Sequence, residues 1–254
     1  MNQIDYEYHG LLAESWDLLR GDTSGWTDGP YYKDFIQNGG EPALDVGCGT
    51  GRLLIPFLLD GLDVDGVDNS RKMLDICRQK ARDQDLDPTL YQQSMEQLDL
   101  PREYGTIFIP SSTFQLITTP EDAFEALLRF KLRAGGTLVM SIMSVRTAKQ
   151  TEWRFLVEKE RSEDKVTIRR WERLSFDEDS QLQSTENRFE LVKDDQVIST
   201  ELHVRSPATQ NYSLDKITAL FEKSGYSEVR ALSTDTFEPA SDSDSSFYIL
   251  GTNK

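Results

Sequence analysis

A glycine-rich run with an acid inside it, ALDVGCGTG at residues 43–51, is the densest chemical signal in the chain. Gly47, Gly49 and Gly51 stand at alternate positions, so the backbone can turn tightly there and approach a ligand closely. Asp68 follows Asp45 by 23 residues, at the end of the next expected strand. A carboxylate in that place can accept hydrogen bonds from both hydroxyls of a ribose. A dinucleotide fingerprint reads G-x-G-x-x-G and holds a pyrophosphate at a helix N-terminus. Here the spacing is G-x-G-x-G, and Asp45 suits a cationic amine better than a phosphate. Loop and acids together describe a nucleoside-binding crevice at the carboxyl ends of adjacent parallel strands.

S-adenosylmethionine meets these demands, since it carries an ammonium and a sulfonium but no phosphate. Further candidates for chemistry are fewer. His203 shares a strand face with Glu201 and Arg205 and is the best placed general base, although three polar residues at alternate positions also describe an exposed strand face. His9 has a weaker claim. Cys48, between two of the glycines, reads as a small apolar side chain tucked behind the loop ahead of a reactive thiol. Trp153, Phe155, Trp171, Phe176 and Phe189 fit a substrate pocket, a seam between domains or a subunit contact equally well.

The elements that must position these residues are legible from periodicity. Residues 42–46 form a short apolar run that ends in the glycine turn, and 52–59 read as a helix with Pro56 near its first turn. Residues 63–68 read as a second strand and 70–83 as a helix with Ser70 at its N-cap. Residues 89–92 and 106–109 are further strands. Pro120 opens a helix with Phe124, Leu127, Leu128 and Leu132 on one apolar face. Gly135-Gly136 stops it, and 137–143 is a buried strand. Alternating strand and helix imply right-handed crossovers and a parallel sheet covered on both faces. From Trp153 onward the period changes to two, with strands at 165–175, 182–193 and 197–205 in an antiparallel unit of three or four. A helix returns at Ser213, ends at Gly225, and precedes strands at 226–232 and 247–250.

Composition narrows the function classes. The 254 residues hold 44 Asp plus Glu against 28 Lys plus Arg, a formal charge of −16 that disfavours a nucleic-acid backbone as partner. Residues 1–145 carry −11 of it and the rest −5, so the surplus is a solvated surface with no acidic tail. The apolar runs are too short to span a bilayer, and the N-terminus lacks a secretory pattern. Cys48 and Cys77 make neither a disulfide framework nor a metal cluster, and no metal is expected. A cytoplasmic protein without membrane or nucleic-acid partners follows, as a monomer or homodimer.

Residues 41–144 resemble the core of class I S-adenosylmethionine-dependent methyltransferases. The marks are LDVGCGTG, then GVDNS with Met73 behind it, then LRAGGTLVMSIM, and YSLDKITALFEKSGY resembles the helix before the final hairpin. Small-molecule enzymes, namely amino-sugar N,N-dimethyltransferases and glycine-type N-methyltransferases, are the nearest comparisons. The resemblance implies an α/β fold, a Rossmann-like doubly wound seven-stranded sheet with its last strand antiparallel, plus an antiparallel β insertion. It implies a helical cover at 1–40, a core at 41–149 and 207–254, and the insertion at 150–206 as substrate cover or dimer contact. Asp45 with Gly47, Cys48, Gly49 and Gly51 would border the methionine part of S-adenosylmethionine. Asp68 would hold the ribose, with Asn69 and Met73 beside the adenosine. Ser94 and Met95 would lie at the adenine, where the family often has Asp before the apolar residue. Pro110 and Ser111 would lie near the methionyl group, and Tyr8, Trp16, Tyr31 and Tyr32 could cover the cofactor. The implied reaction is in-line methyl transfer to a small-molecule nitrogen or oxygen. An NAD(P)-dependent oxidoreductase and a non-catalytic binding subunit are the alternatives.

Overall fold

A computed structural model describes residues 8–143, 150–204 and 207–254. The chain divides into two units, one from segments 1–25 and 145–210, the other from segments 26–144 and 211–254. The expected N-terminal cover at 1–40 is thereby shared between them.

The larger unit holds α3 (Asp28–Gly39), β1 (Ala43–Val46), α4 (Leu54–Leu59), β2 (Val64–Asp68), α5 (Arg71–Arg82), β3 (Leu90–Gln92), β4 (Tyr104–Ile109), α6 (Pro120–Arg129), β5 (Leu132–Met143), α7 (Leu214–Lys223), β11 (Ser227–Ser233) and β12 (Ser246–Thr252). Its seven strands run in the order β11-β12-β5-β4-β1-β2-β3. β1 pairs in parallel with both β2 and β4, whereas β12 is antiparallel to β5 and β11. The last strand in the chain is therefore the reversed one, as expected. Strands β1, β2 and β4 are buried along their whole length, so the aspartates that interrupt β1 and β2 are buried with them. One apolar core packs Leu44, Val46, Ile107, Leu138 and Phe221 together, and a second packs Tyr32, Ile36, Leu54, Leu74 and Phe108.

α6 ends earlier than periodicity predicts. Its buried face is Ala123, Ala126 and Leu127, while Leu128 is exposed and Leu132 already opens β5. Gly135 and Gly136 lie inside that strand, so they stop no helix. The chain leaves helical dihedrals at Phe130, whose ring is buried in the first core. Tertiary burial of Phe130 overrides a pattern that four leucine-spaced positions made look longer.

The smaller unit holds two short helices, α1 (Gly10–Glu14) and α2 (Trp16–Arg20), and the antiparallel strands β6 (Gln150–Arg161), β7 (Val166–Asp177), β8 (Leu182–Lys193), β9 (Gln196–His203) and β10 (Ala208–Gln210). The sheet has five strands, one or two beyond the expected number. β6 and β10 are the additions, and β9 and β10 both pair with β8. Leu11 and Leu12 pack there with Ile168 and Phe189. No helix among the described residues is long and apolar enough to cross a membrane.

Candidate functional site

The strand order reverses direction at β1, which sends one connection to β2 and receives β4 on its other side. In open α/β sheets the crevice outside the carboxyl ends of such strands is where ligands bind. The glycine loop follows β1 at this place and is stapled to β2, because the Gly47 and Cys48 amides both donate to the Val67 carbonyl, at 2.7 and 3.0 Å. Gly51 has φ 84°, and a Cβ there would stand 2.7 Å from the Cys77 sulfur and 2.8 Å from Ile55. A Cβ on Gly47 would overlap the Thr113 methyl, so the loops after β1 and β4 lie against each other. Only glycine permits both approaches.

Asp68 ends β2 and organises the loop's far side. Its Oδ2 accepts from the Gly49 amide at 2.9 Å and its Oδ1 from the Ser70 amide at 2.8 Å. A carboxylate oxygen can accept more than one hydrogen bond, which is the chemistry a ribose diol asks for. Ser70 caps α5 through its hydroxyl, which accepts from the Met73 amide at 3.2 Å. Asn69 is partly exposed beside it.

Asp45 is different in kind. It is 1% exposed, and its Oδ1 has no hydrogen-bond partner. Burial pushes the carboxyl up to about 8, opposed by the Arg52 charge and assisted by Asp68 and Asp28. A buried carboxylate oxygen without a donor is costly. A cationic amine is the group that would both donate to it and hold it ionised. The donor-poor carboxylate of Asp45, the glycine cradle and the acid at the end of β2 fit S-adenosylmethionine.

Met73 and Met95 are buried apolar walls, Ser94 is partly exposed before a short 3-10 turn, and Pro110 is buried. Ser111 takes a left-handed backbone, φ 58°, which is uncommon for a residue with a side chain and costs about 1–3 kcal/mol. The Ser141 hydroxyl donates to the Ser111 carbonyl, and the Thr113 hydroxyl donates to the Pro110 carbonyl at 2.7 Å. The loop after β4 is therefore pinned in a strained shape at the switch point.

Cys48 contributes only backbone to the loop. Its side chain packs in the second core, and burial holds the thiol well above its ordinary range, so it is no nucleophile. Tyr32 is fully buried with its hydroxyl donating to the Ile109 carbonyl at 3.4 Å. Tyr31 stacks on Tyr248 with ring centres 4.0 Å apart. Both are packing residues of the larger unit. Arg52 was not singled out by spacing. It makes a two-pronged pair with Asp28, at 2.9 and 2.6 Å, and lies over the Trp26 ring at 4.8 Å. Its position directly after Gly51 was the available signal.

The remaining candidates belong to the smaller unit. Tyr8 and Trp16 stack on each other at 5.0 Å. Trp153 lies beside the Arg173 and Arg188 guanidinium groups, Phe155 is exposed, and Phe189 is fully buried. His203 is 3% exposed, which corrects the exposed-face alternative. Its Nε2 lies 2.5 Å from Glu201 Oε1, so the shared strand face with Glu201 is real, while Arg205 lies outside the described residues.

Comparison with known proteins adds to this geometry. Residues 43–136 match the family model described as a methyltransferase domain. A Geobacillus sp. (strain WCH70) protein provisionally named a methyltransferase is 40% identical over 86 residues, which are 33% of this chain. The match spans 35% of that relative's own length. The CcbJ methyltransferase of Streptomyces caelestis is similar over 98% of this chain and 100% of its own, with a TM-score of 0.77 at 20% identity. An amino pentose methyltransferase of Micromonospora echinaspora, solved with S-adenosylmethionine bound, is similar over 98% and 99%, with a TM-score of 0.68 at 17% identity. At these identities the likeness is one of fold.

Proposed function

We propose that this chain, whose residues 43–136 form a methyltransferase domain, binds S-adenosylmethionine and methylates a small molecule, with a nitrogen acceptor ahead of an oxygen one. The observation that carries the reading is Asp45, a buried carboxylate with a donor-free oxygen beside a glycine loop. In this reading Asp45 holds the ammonium and the backbone of Gly47 and Gly49 borders the methionine part. Asp68 holds the ribose hydroxyls, with Asn69 beside them. Met73 and Met95 wall the adenine, with Ser94 as a hydrogen-bonding group, and Pro110 and Ser111 border the sulfur end. When bound, S-adenosylmethionine supplies an electrophilic methyl on a sulfonium. The chain's own contribution is to hold donor and acceptor in line, worth up to about 7–11 kcal/mol of barrier. An amine acceptor needs no dedicated base, so no step is assigned to His203. The nitrogen preference rests on analogy with the amino pentose enzyme. Two reduced, buried cysteines suit a cytoplasmic setting.

Calorimetric titration with S-adenosylmethionine and with NADH tests the cofactor. Saturable binding of the first alone is expected, and binding of NADH alone would overturn the proposal. A methyl-release assay across amines, amino sugars and hydroxyl compounds then tests the acceptor. Turnover with hydroxyl compounds and none with amines would refute the nitrogen preference.

A further inference from the structure

Within the smaller unit, three side chains from opposite ends of the chain converge with the donor set of a transition-metal site. One ligand atom from each of His9, Glu201 and His203 lies within 4.8 Å of the other two. The rings of His9 and His203 are 4.8 Å apart between centroids, tilted by 33°. His203 Nε2 is 2.5 Å from Glu201 Oε1. Burial grades across the cluster, with His203 enclosed, Glu201 intermediate and His9 exposed. One side is therefore enclosed and the other open to entry from solvent.

The surroundings hold these groups in place. His203 stands opposite Asn187 on β8, and Glu201 stands opposite Phe189. The Phe189 ring meets His203 edge-on at 5.4 Å and fixes the imidazole plane. Arg170, the nearby cation on β7, is engaged with the Asn187 side chain at 2.9 Å. Glu201 Oε1 also accepts from the Leu11 amide at 3.0 Å, which orients the carboxylate from the N-terminal segment. That segment can come so close because Gly10, at φ 51°, has no Cβ to collide with the carboxylate. A hydrogen-bonded backbone partner on a ligand's carboxylate is the outer-shell support seen in metal sites.

We propose that His9, Glu201 and His203 form a binding site for one divalent transition-metal ion of the zinc class. Two imidazoles and one carboxylate are a borderline set that favours such ions over calcium or magnesium, and three protein ligands leave a fourth position for water. Metal–ligand bonds of about 2.0–2.2 Å place tetrahedral ligands roughly 3.3 Å apart, so the cluster must adjust by about an ångström. The ion takes the place of the hydrogen between His203 Nε2 and Glu201; in the neutral imidazole that hydrogen moves to Nδ1, so Nε2 offers its lone pair to the metal and no net proton is released. The bound ion ties the start of α1 to β9, joining residues 190 or more positions apart.

The test uses the tag-free, chelator-treated full chain. It is titrated with zinc chloride in calorimetry and with cobalt chloride in visible absorption, alongside His9→Ala and Glu201→Gln. His9 is exposed, so its removal leaves the fold intact. In Glu201→Gln the side-chain carbonyl can still accept from the Leu11 amide, and circular dichroism checks that both variants fold. The expected result is one zinc per chain and a tetrahedral cobalt spectrum. Each variant should weaken zinc by at least the roughly 10–100-fold that loss of even an outer-shell partner costs. Absence of saturable binding up to about 1 mM zinc, which corresponds to about −4 kcal/mol, overturns the site. Equal binding by the parent and both folded variants overturns it too, because the ion then sits elsewhere.

Discussion

At pH 7 about nine in ten unliganded molecules should hold Asp45 protonated, because burial pushes its carboxyl up to about 8. Pairing with the cofactor's ammonium requires the ionised form. Well below pH 8, binding therefore expels a proton, and the logarithm of the association constant should rise by about one per pH unit, flattening as pH nears 8. Affinity at pH 7 should stand about tenfold below its limit and at pH 6 about a hundredfold, since each unit is about 1.36 kcal/mol. Above pH 8 the cofactor's own amine begins to lose its charge, near the ordinary α-amino value of about 7.7–8.0, so the profile should peak close to 8.

The stability of the unliganded protein should move the opposite way. A carboxyl raised in the folded state contributes stability that is complete below its unfolded value of 3.8 and is lost as pH rises through about 8. Ligand-induced stabilisation should thus grow over the same window in which the free protein weakens. Asp45→Asn keeps the shape and removes the titration. It should flatten the profile, stabilise the free protein at pH 8, and cost about 2–5 kcal/mol of binding there. Calorimetry with S-adenosylhomocysteine in two buffers of different ionisation heat reads proton release directly; the proton lost by Asp45, less the small fraction taken up by the ligand's amine, leaves a net release of about three-quarters of a proton at pH 7. Affinity flat from pH 6 to 8, with no dependence of heat on buffer, would refute the pairing of Asp45 with the ammonium.

Two further substitutions separate site from scaffold. Gly51→Ala places a methyl against Cys77 and Ile55 at a left-handed φ, so strain and overpacking should together cost about 2–4 kcal/mol; thermal unfolding should show a drop of roughly 5–12 °C, and an unchanged midpoint would contradict the close approach. Asp65→Asn weakens the acceptor of the Tyr104 hydroxyl (2.8 Å) and the Arg102 guanidinium (3.2 Å), so stability measured in urea should fall by about 1–3 kcal/mol while cofactor affinity stays within about twofold.

How much of this was legible in the sequence depended on distance along the chain. The glycine loop, Asp68 and the Ser70 cap are local patterns, and β8 occupies the residues that alternation marks, 182–193. The end of α6 is not legible in periodicity, which reports spacing without knowing that Phe130 is needed in the core. β6 and β10 were missed because β6 lies at the seam where the period changes and β10 has only three residues. The His9–Glu201–His203 cluster joins the two ends of the smaller unit, and no local window contains it. The reversed β12 was expected from the family resemblance and not from any residue in the strand itself.

Three buried aspartates on β1 and β2 show why acidity alone could not locate the site. Each lies in an apolar layer and must be answered, since an unpaired buried charge is expensive. Asp65 is answered by Tyr104 and Arg102, side chains that belong to the protein's own framework. Asp68 accepts from two amides, one of them in the glycine loop, so it shapes the crevice from the end of β2. Asp45 keeps one oxygen with no donor, and its carboxyl is pushed toward the neutral form. A structural acid is stabilised by what the chain supplies. An acid left short at the mouth of a parallel sheet is completed by something that arrives, and its raised titration makes that arrival measurable as a released proton.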